Sequence, residues 1–306
     1  MQSSKKYKGI IIPTVTPVTQ DFQLDEGSLE TMFANFYQHR VSPFILGTTG
    51  ESASFSNPFK LQYIKAAGKL KQPDTFLYAG ISSNCLDESI ELSKYCLDAG
   101  VDVLAATLPT YYTLTESQMK QYFEQLAAKV SLPLVIYNIP ATTHMSIPLH
   151  LIDELSHHEN IVGTKDSERS DERLQTSISL WAKREDFSHF LGWAGRSARA
   201  LIDGSDGLIP STGNLYPKLY SDMLAAVSAS DTDKAFQLQT LSDDLGNLYQ
   251  SGKTLGESLW ALKVLMEEYG LCKSYAMPPL QSLPDSEKEK LLISLHEILN
   301  KENIQL

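Results

Sequence analysis

The most informative residue for chemistry is Lys165, which ends the apolar run IVGT at residues 161–164. A lysine at the end of a buried strand faces surroundings of low polarity, which disfavour the ammonium form and lower its pKa. A neutral amine can attack a ketone and form a Schiff base, which then acts as an electron sink for C–C cleavage or formation. Such a role near neutral pH requires a fall in the lysine pKa from about 10.4 to roughly 7–8. The alternative interpretation is a rim lysine paired with Asp166 or Glu168.

Two further groups suit the same chemistry. Tyr137 ends another apolar run, where a phenol can move protons to and from a carbonyl oxygen or a substrate hydroxyl. Thr48 and Thr49 lie in the turn GTTGE at residues 47–51, and their hydroxyls and the backbone N–H groups can hold a carboxylate. The structural alternatives are a core tyrosine with a satisfied hydroxyl and an ordinary turn whose threonine caps a helix. Together with Lys165, these are the groups that the conversion of a 2-oxo acid to an enamine requires.

The elements that must position these residues are short apolar segments, each followed by a stretch of helical periodicity. Strand candidates stand at residues 9–15, 43–46, 75–79, 102–106, 133–137, 161–165, 187–191 and 206–209. Most are continuously apolar, as expected for parallel strands buried on both faces. Eight strand–helix units in about 225 residues predict a (β/α)8 TIM barrel, in which the active site lies at the C-terminal ends of the strands. A doubly wound sheet is the alternative, but no Gly-x-Gly-x-x-Gly follows the first strand.

After about residue 230 the strand signals stop and three helical segments follow, at residues 231–250, 255–269 and 285–300. No low-complexity linker separates them from the preceding units. We therefore predict a catalytic barrel over residues 1–229 and a C-terminal three-helix extension over residues 230–306, packed on the barrel.

The composition narrows the class of protein. The 306 residues include 26 Lys and Arg against 37 Asp and Glu, a formal net charge of −11. Because no basic run offsets this charge, we expect neither a nucleic acid nor an anionic membrane as a partner. The N-terminus lacks the apolar core of a signal peptide, and three cysteines cannot build a disulfide framework. The sequence thus predicts a soluble cytoplasmic protein.

No metal site is expected, because the seven histidines show neither HxxxH nor HExxH spacing. No P-loop or dinucleotide fingerprint is present either. Schiff-base chemistry on Lys165 needs no metal or organic cofactor, so we predict that the protein uses none.

Four motifs give the chain a family resemblance. The GTTGE turn begins at Gly47, YNIP spans residues 137–140, GTKD spans residues 163–166, and DGLI spans residues 206–209 with Ser211 close behind. In this order and at these strands, the motifs resemble those of the dihydrodipicolinate synthase / N-acetylneuraminate lyase family of pyruvate-dependent class I aldolases. The resemblance covers nearly the whole chain, including the helical extension.

The resemblance implies roles for individual residues. Lys165 would form the imine with pyruvate, Tyr137 would relay protons, and the turn that carries Thr48 and Thr49 would bind the carboxylate. The carbonyl of Ile209 would line the same pocket. Tyr111 is similar to a tyrosine that family members place in the proton relay of a neighbouring subunit, which implies a homotetramer built from tight dimers.

Two positions argue against dihydrodipicolinate synthase proper. The synthase carries an arginine two residues beyond YNxP for the acceptor's second carboxylate, whereas this chain has Thr142, and a hydroxyl cannot replace a bidentate cation. Ser167 stands where sugar-acid lyases of the family carry a hydroxyl residue. The pair Pro278-Pro279 also resembles 2-keto-3-deoxygluconate aldolases.

One departure concerns the acceptor. After strand 7 the family usually has glycine followed by one or two acidic residues, but here Gly192 is followed by Trp193 and Ala194, with Arg196 nearby. The tryptophan either packs under a loop or indicates an acceptor with an apolar surface or an added anionic group. Arg196 could also enter the pocket and replace the missing arginine.

Three functions follow from these observations. The leading hypothesis is reversible cleavage of a 2-oxo-3-deoxy sugar acid, of the 2-keto-3-deoxygluconate or N-acetylneuraminate type, to pyruvate and an aldehyde. The second is a 4-hydroxy-tetrahydrodipicolinate synthase that condenses pyruvate with aspartate semialdehyde. The third is a non-catalytic sensor of 2-oxo acids, which retention of Lys165, Tyr137 and both threonines disfavours.

Overall fold

The computed structural model describes residues 5–302 and Ile304. Eight parallel strands form a closed barrel in which β1 pairs with both β2 and β8. The strands are β1 Gly9–Pro13, β2 Ser42–Ile45, β3 Tyr78–Gly80, β4 Val103–Ala106, β5 Leu134–Asn138, β6 Ile161–Asp166, β7 Ser188–Leu191 and β8 Gly207–Leu208. The predicted (β/α)8 TIM barrel is confirmed.

The observed strand boundaries lie within three residues of the predicted ones. The largest difference is at β3, which begins at Tyr78 and not at residue 75. Just before it, the backbone N–H of Leu77 donates to the side chain of Asp102 at 2.8 Å. The N–H of Leu77 thus donates to a side-chain carboxylate, whereas in a longer strand it would donate to a backbone carbonyl of the next strand. Sequence periodicity does not reveal this difference.

Helices follow the strands and cover the outside of the barrel. In the described residues they are α1 Glu26–Gln38, α2 Asn57–Leu70, α3 Leu86–Asp98, α4 Glu116–Lys129, α5 Pro140–Thr143, α6 Leu149–Leu155, α7 Asp171–Trp181, α8 Ser197–Asp203, α9 Pro217–Ser228, α10 Thr232–Gln250, α11 Leu255–Glu268 and α12 Asp285–Glu302. None of these helices is both long enough and apolar enough to cross a bilayer.

The sequence fixes several helix starts through side-chain caps. Thr115 and Gln118 form a reciprocal capping box at the start of α4, and Thr254 and Glu257 do the same for α11. Asp231 caps α10 by accepting from the backbone N–H of Lys234 at 3.0 Å. These caps satisfy N–H groups that the first helical turn leaves without partners.

Apolar side chains form two cores. The smaller core fills the barrel interior and includes Ile11, Phe44, Val135 and Phe190. The larger core lies between the strands and the surrounding helices. Because side chains fill the interior, a ligand can bind only at the rim of the barrel.

The predicted C-terminal helices are present as α10, α11 and α12. Helix α10 packs along α8 and α9, with Leu238, Leu241 and Leu245 buried. Helices α11 and α12 pack on each other and on α10. The domain boundary between residues 229 and 230 stays a prediction.

A buried ion pair links the barrel to this C-terminal extension. Glu51, which ends the GTTGE turn, contacts the Nζ of Lys263 on α11, and both side chains are fully buried. Glu51 Oε2 also accepts from the backbone N–H of Met277 at 2.8 Å, while Lys263 Nζ donates to the carbonyl of Tyr275 at 2.8 Å. The turn after β2 is thereby tied to two separate parts of the extension.

Candidate active site

Lys165 and Tyr137 lie side by side at the C-terminal ends of β6 and β5. The two residues are directly paired in the register of these strands. Lys165 Nζ lies 3.9 Å from the centre of the Tyr137 ring and 5.0 Å from the centre of the Phe44 ring. Lys165 is 3% exposed and Tyr137 is 5% exposed, so the amine and the phenol meet in a buried part of the barrel mouth.

The neighbouring acids do not pair with this lysine. Asp166 bonds to Arg173 Nε at 2.5 Å and to Asn138 Nδ2 at 3.1 Å. Glu168 accepts from Ser146 Oγ at 2.6 Å. Among the described residues, no carboxylate lies within ion-pair distance of Lys165. The alternative of a rim lysine paired with Asp166 or Glu168 is therefore wrong. Successive residues of a strand point to opposite faces, so Asp166 points away from Lys165, and Glu168 beyond the strand bonds to Ser146.

This environment shifts the acidity of both groups. Burial is the main influence on the pKa of Lys165 and lowers it, although the adjacent phenol of Tyr137 opposes part of the fall. Burial alone would raise the pKa of Tyr137, but the charge of Lys165 outweighs it together with hydrogen bonds to Thr48, Lys165 and Ser167, so the pKa is lowered. Both shifts move proton exchange toward neutral pH.

The threonine turn lies beside the phenol. Thr48 Oγ1 and Tyr137 OH are 3.4 Å apart, and Thr48 and Thr49 both line the main cavity. The turn closes through a hydrogen bond from Gly50 N–H to the carbonyl of Gly47 at 3.1 Å. Gly50 has no room for a side chain, because a Cβ would lie 2.9 Å from the carbonyl oxygen of Thr14. The tight packing fixes the turn against β1.

The segment after β8 forms the opposite wall. Ile209 is buried and Ser211 is half-buried, and both line the main cavity. Ser211 Oγ lies 2.7 Å from Tyr249 OH, and Thr212 Oγ1 lies 2.9 Å from the same oxygen. Tyr249 belongs to α10 and also lines the cavity. Sequence reasoning missed Tyr249, because periodicity predicted its helix but not which side of the helix meets the barrel.

The main cavity measures about 830 Å³ and opens at the strand ends. Strand-end residues form its floor, and residues of α10 and α11 form part of its wall. A second cavity of about 470 Å³ shares Thr48 and Tyr137 with the first. Thr142 lines only this second cavity, and its hydroxyl bonds back to the carbonyl of Ile139 at 3.4 Å.

The segment after β7 brings Ser167 and Trp193 to the main cavity. A Cβ at Gly192 would lie 2.2 Å from Ser167 Oγ, so a larger residue at this position would force the Ser167 side chain to move. The guanidinium of Arg196 lies 4.7 Å from the centre of the Trp193 ring and bonds to both carboxylate oxygens of Asp171, at 2.7 and 3.0 Å. Arg196 is bonded to Asp171 and does not line the cavity in this arrangement.

Tyr111 lies apart from these residues. It is 77% exposed, packs edge-on against Tyr112, and lines neither cavity. Within one chain the structure therefore brings together every predicted site residue except Tyr111, with Thr142 and Gly47 facing the second cavity. No group of three or more potential metal ligands occurs in the part of the chain that the structure describes.

Comparison with known proteins agrees with this geometry. The model of the dihydrodipicolinate synthetase family matches residues 6–298. A probable 2-dehydro-3-deoxy-D-pentonate aldolase, YjhH of Escherichia coli K12, is 27% identical over 95% of this chain and 97% of its own length. The family model and an aldolase-type relative thus match nearly the whole chain.

Two solved structures share the fold. Dihydrodipicolinate synthase from Bacteroides thetaiotaomicron superimposes with a TM-score of 0.90 at 26% identity, over 97% of this chain and 100% of that one. YagE, a prophage protein of the dihydrodipicolinic acid synthase family from E. coli K12, was solved in complex with pyruvate. It superimposes with a TM-score of 0.90 at 26% identity, over 96% of this chain and 99% of that one. From the buried strand-end lysine to the matched family model, the observations agree that this chain belongs to the dihydrodipicolinate synthetase family of aldolase-type lyases.

Proposed function

We propose that this chain is a class I aldolase that reversibly cleaves a 2-oxo-3-deoxy sugar acid into pyruvate and an aldehyde. The observation that carries the proposal is the buried amine of Lys165, 3.9 Å from the centre of the Tyr137 ring and without a paired carboxylate among the described residues. The pyruvate complex of YagE supports pyruvate as the keto acid.

The first step is formation of the imine. The neutral Nζ of Lys165 adds to C2 of the keto acid. The C2 oxygen leaves as water after taking one proton from the amine and one from Tyr137, which gives the protonated imine and a Tyr137 phenolate. Burial favours the neutral amine that this attack requires, because it lowers the pKa of Lys165. Thr48, Thr49 and the backbone N–H groups of their turn hold the C1 carboxylate next to the amine.

The second step breaks the C3–C4 bond. The Tyr137 phenolate accepts the proton of the C4 hydroxyl, the electron pair of the C3–C4 bond moves into the iminium to give an enamine, and C4 leaves as the aldehyde. Protonation at C3 and hydrolysis of the imine then release pyruvate and regenerate the amine. Thr48, 3.4 Å from the phenol oxygen, orients the Tyr137 hydroxyl for both transfers.

The choice of a sugar acid over the synthase reaction depends on two side chains. Thr142 is neutral, bonds to its own helix and lines only the second cavity, so it provides no cation for a second carboxylate. Ser167 places a hydroxyl in the main cavity, where an acceptor with hydroxyl groups would lie. Cleavage of 2-keto-3-deoxygluconate-type acids should therefore have a higher kcat/KM than condensation of pyruvate with aspartate semialdehyde.

The proposed steps use no metal and no organic cofactor, because the protonated imine itself accepts the electron pair. We expect activity to survive exhaustive dialysis against EDTA. Activity that disappears and returns with a divalent ion would instead indicate a metal-dependent aldolase.

We further propose a homotetramer in which Tyr111 completes the proton relay of a neighbouring subunit. The exposure of Tyr111 on a single chain supports this role, since its phenol is free to reach another copy. Native mass spectrometry should show the tetramer, and Tyr111→Phe should lose less activity than Tyr137→Phe. A fully active monomer at nanomolar concentration would contradict this proposal.

The decisive experiment traps the imine. Wild-type protein is treated with pyruvate and borohydride, and intact mass and peptide mapping then locate the reduced adduct. We expect labelling at Lys165 and inactivation in the wild type, and no adduct in Lys165→Ala. Lys253→Ala is the matched control, because Lys253 lines the same cavity and should leave labelling unchanged. Absence of labelling at saturating pyruvate, or labelling of another lysine, would defeat the Schiff-base mechanism and leave a binding role.

A further inference from the structure

Two carboxylates line the main cavity, and their surroundings differ. Glu168 lies 3.5 Å from Arg173 Nε and accepts hydrogen bonds from Ser146 and Asn138. Asp243 has no cation within ion-pair distance among the described residues, and its one hydrogen bond comes from the neutral amide of Gln239. A carboxylate facing a cavity in this state keeps acceptor capacity for a ligand.

The position of Asp243 is set by its neighbour one turn earlier on α10. Gln239 is buried, and its Nε2 donates both to Asp243 Oδ1 at 2.8 Å and to the carbonyl of Ala194 at 2.9 Å. Its Oε1 accepts from the backbone N–H of Ala198 at 2.9 Å. A single amide therefore fixes α10 against the segment after β7 and holds the carboxylate in one orientation.

The absence of a side chain at Gly195 leaves space next to Asp243. A Cβ at Gly195 would lie 3.2 Å from Trp193 Nε1 and 3.8 Å from Asp243 Oδ1, so this glycine lies between the indole and the carboxylate. Gly246 and Asn247 follow on α10 and also line the cavity. The wall thus combines an aromatic ring, a carboxylate and an amide, which suits a chain that carries both C–H and O–H groups.

Arg196 leaves this carboxylate available. Its guanidinium stacks on Trp193 and is bonded at two points to Asp171, which lies outside the cavity lining. Burial raises the pKa of Asp243 above its ordinary value, and the charge of Arg196, which is not bonded to the carboxylate, opposes part of that rise. The carboxylate can accordingly accept hydrogen bonds from a ligand without first breaking an ion pair.

We propose that Asp243 binds hydroxyl groups of the acceptor aldehyde and makes a polyhydroxylated chain the preferred acceptor. The proposal rests on the aldolase function proposed above, and it assigns acceptor selection to the C-terminal extension, whereas pyruvate binding is assigned to the barrel. Asp243 is a specificity residue here, since the bond-breaking steps use Lys165 and Tyr137.

The test compares two acceptors of equal length in the condensation direction, D-glyceraldehyde and propionaldehyde, each with pyruvate. The wild type should prefer D-glyceraldehyde in kcat/KM. Asp243→Ala should lower that preference roughly 10- to 100-fold, which is the usual cost of losing a hydrogen bond to a charged group. Asp243→Glu should restore part of the preference. Asp244→Asn, a change to the adjacent residue of α10, should leave the preference unchanged.

Borohydride trapping with pyruvate separates the possible failures. Asp243→Ala should form the adduct at Lys165 as the wild type does, which shows that the variant is folded and that the pyruvate site is intact. If it does so and the acceptor preference is unchanged, or both aldehydes lose equally, the role of Asp243 is overturned while the aldolase function stands. If the wild type forms no adduct, the aldolase function itself fails and the role of Asp243 fails with it.

Discussion

The two ends of the main cavity are built differently. The end assigned to pyruvate consists of residues on or just after β2, β5, β6 and β8, and its central groups, Lys165 and Tyr137, are almost completely buried. The end assigned to the acceptor is formed by Trp193 after β7 and by residues of α10, of which Asp243 is half-buried and Asn247 is exposed. Backbone pairing between strands holds the first end, whereas side-chain hydrogen bonds such as those of Gln239 hold the second.

This difference separates two tasks. Chemistry that tolerates little displacement lies where neighbouring strands determine side-chain positions, because an error of about 1 Å can cost about 10²-fold in rate. Selection of the aldehyde lies where one side chain can be exchanged without disturbing the barrel. We infer that reaction type and acceptor preference can change independently in this architecture.

The largest predicted effect tests the barrel end. Tyr137→Phe should keep part of the imine formation with pyruvate but lose turnover by roughly 10²–10⁴-fold, the usual contribution of a positioned acid or base. Stopped-flow release of the aldehyde and borohydride trapping would measure the two steps separately. Near-normal aldehyde release would show that this phenol only packs against Lys165.

The next prediction tests the ion pair that joins the barrel to the C-terminal extension. Lys263→Met leaves the carboxylate of Glu51 buried without its cation, which should lower the free energy of unfolding by about 3–5 kcal/mol. Chemical denaturation would measure this loss. The double variant Glu51→Gln with Lys263→Met is the control and should be less destabilised than Lys263→Met alone. Equal losses would mean that the buried charge is not the cause.

A smaller effect concerns pH at the barrel end. Because burial lowers the pKa of Lys165 in the folded protein, the unfolded chain holds that proton more tightly. The resulting cost to stability is present in full below the folded pKa and is removed as pH rises toward the ordinary value of 10.5. Lys165→Met should therefore have a higher Tm than the wild type at neutral pH, with a gap that narrows toward pH 10.5. A gap that is constant in calorimetric scans across this range would exclude the charge as its source.

The smallest expected change in kcat/KM tests whether Arg196 contributes to acceptor binding. Arg196→Ala should alter kcat/KM by no more than about threefold for either cleavage of a sugar acid or condensation with aspartate semialdehyde, because Arg196 is held by Asp171 outside the cavity. Condensation that is faster than cleavage in the wild type and collapses in this variant would show that Arg196 enters the site and binds a second carboxylate.

Sequence reasoning was strongest where chemistry and strand patterns coincide. A lysine and a tyrosine at the ends of apolar runs could be placed on one rim, because all parallel strands of a barrel end on the same side. The sequence did not reveal Tyr249 or Asp243. Both lie on a correctly predicted helix, α10, but their contact with the cavity depends on how that helix docks, which helical periodicity alone does not specify.

Thr142 and Arg196 illustrate the same limit. The sequence placed Thr142 near the acceptor by its distance from YNIP, but the structure turns it toward the second cavity. Arg196 lies three residues from Trp193 in the chain, yet its side chain is held by the carboxylate of Asp171 on α7. Local spacing predicted that these residues lie near the rim, and only tertiary contacts decided which way they face.

The buried pair of Glu51 and Lys263 also bears on protein engineering. The C-terminal extension is not a detachable module. Its removal would take away one wall of the main cavity and leave the carboxylate of Glu51, in the threonine turn, without its cation. If Asp243 has the proposed role, a chimera joining the barrel of one relative to the extension of another should take part of its acceptor preference from the donor of the extension. An extension without a cation at the position of Lys263 would leave the carboxylate of Glu51 buried and unpaired and lower the stability of the chimera, so this side chain limits which segments can be recombined.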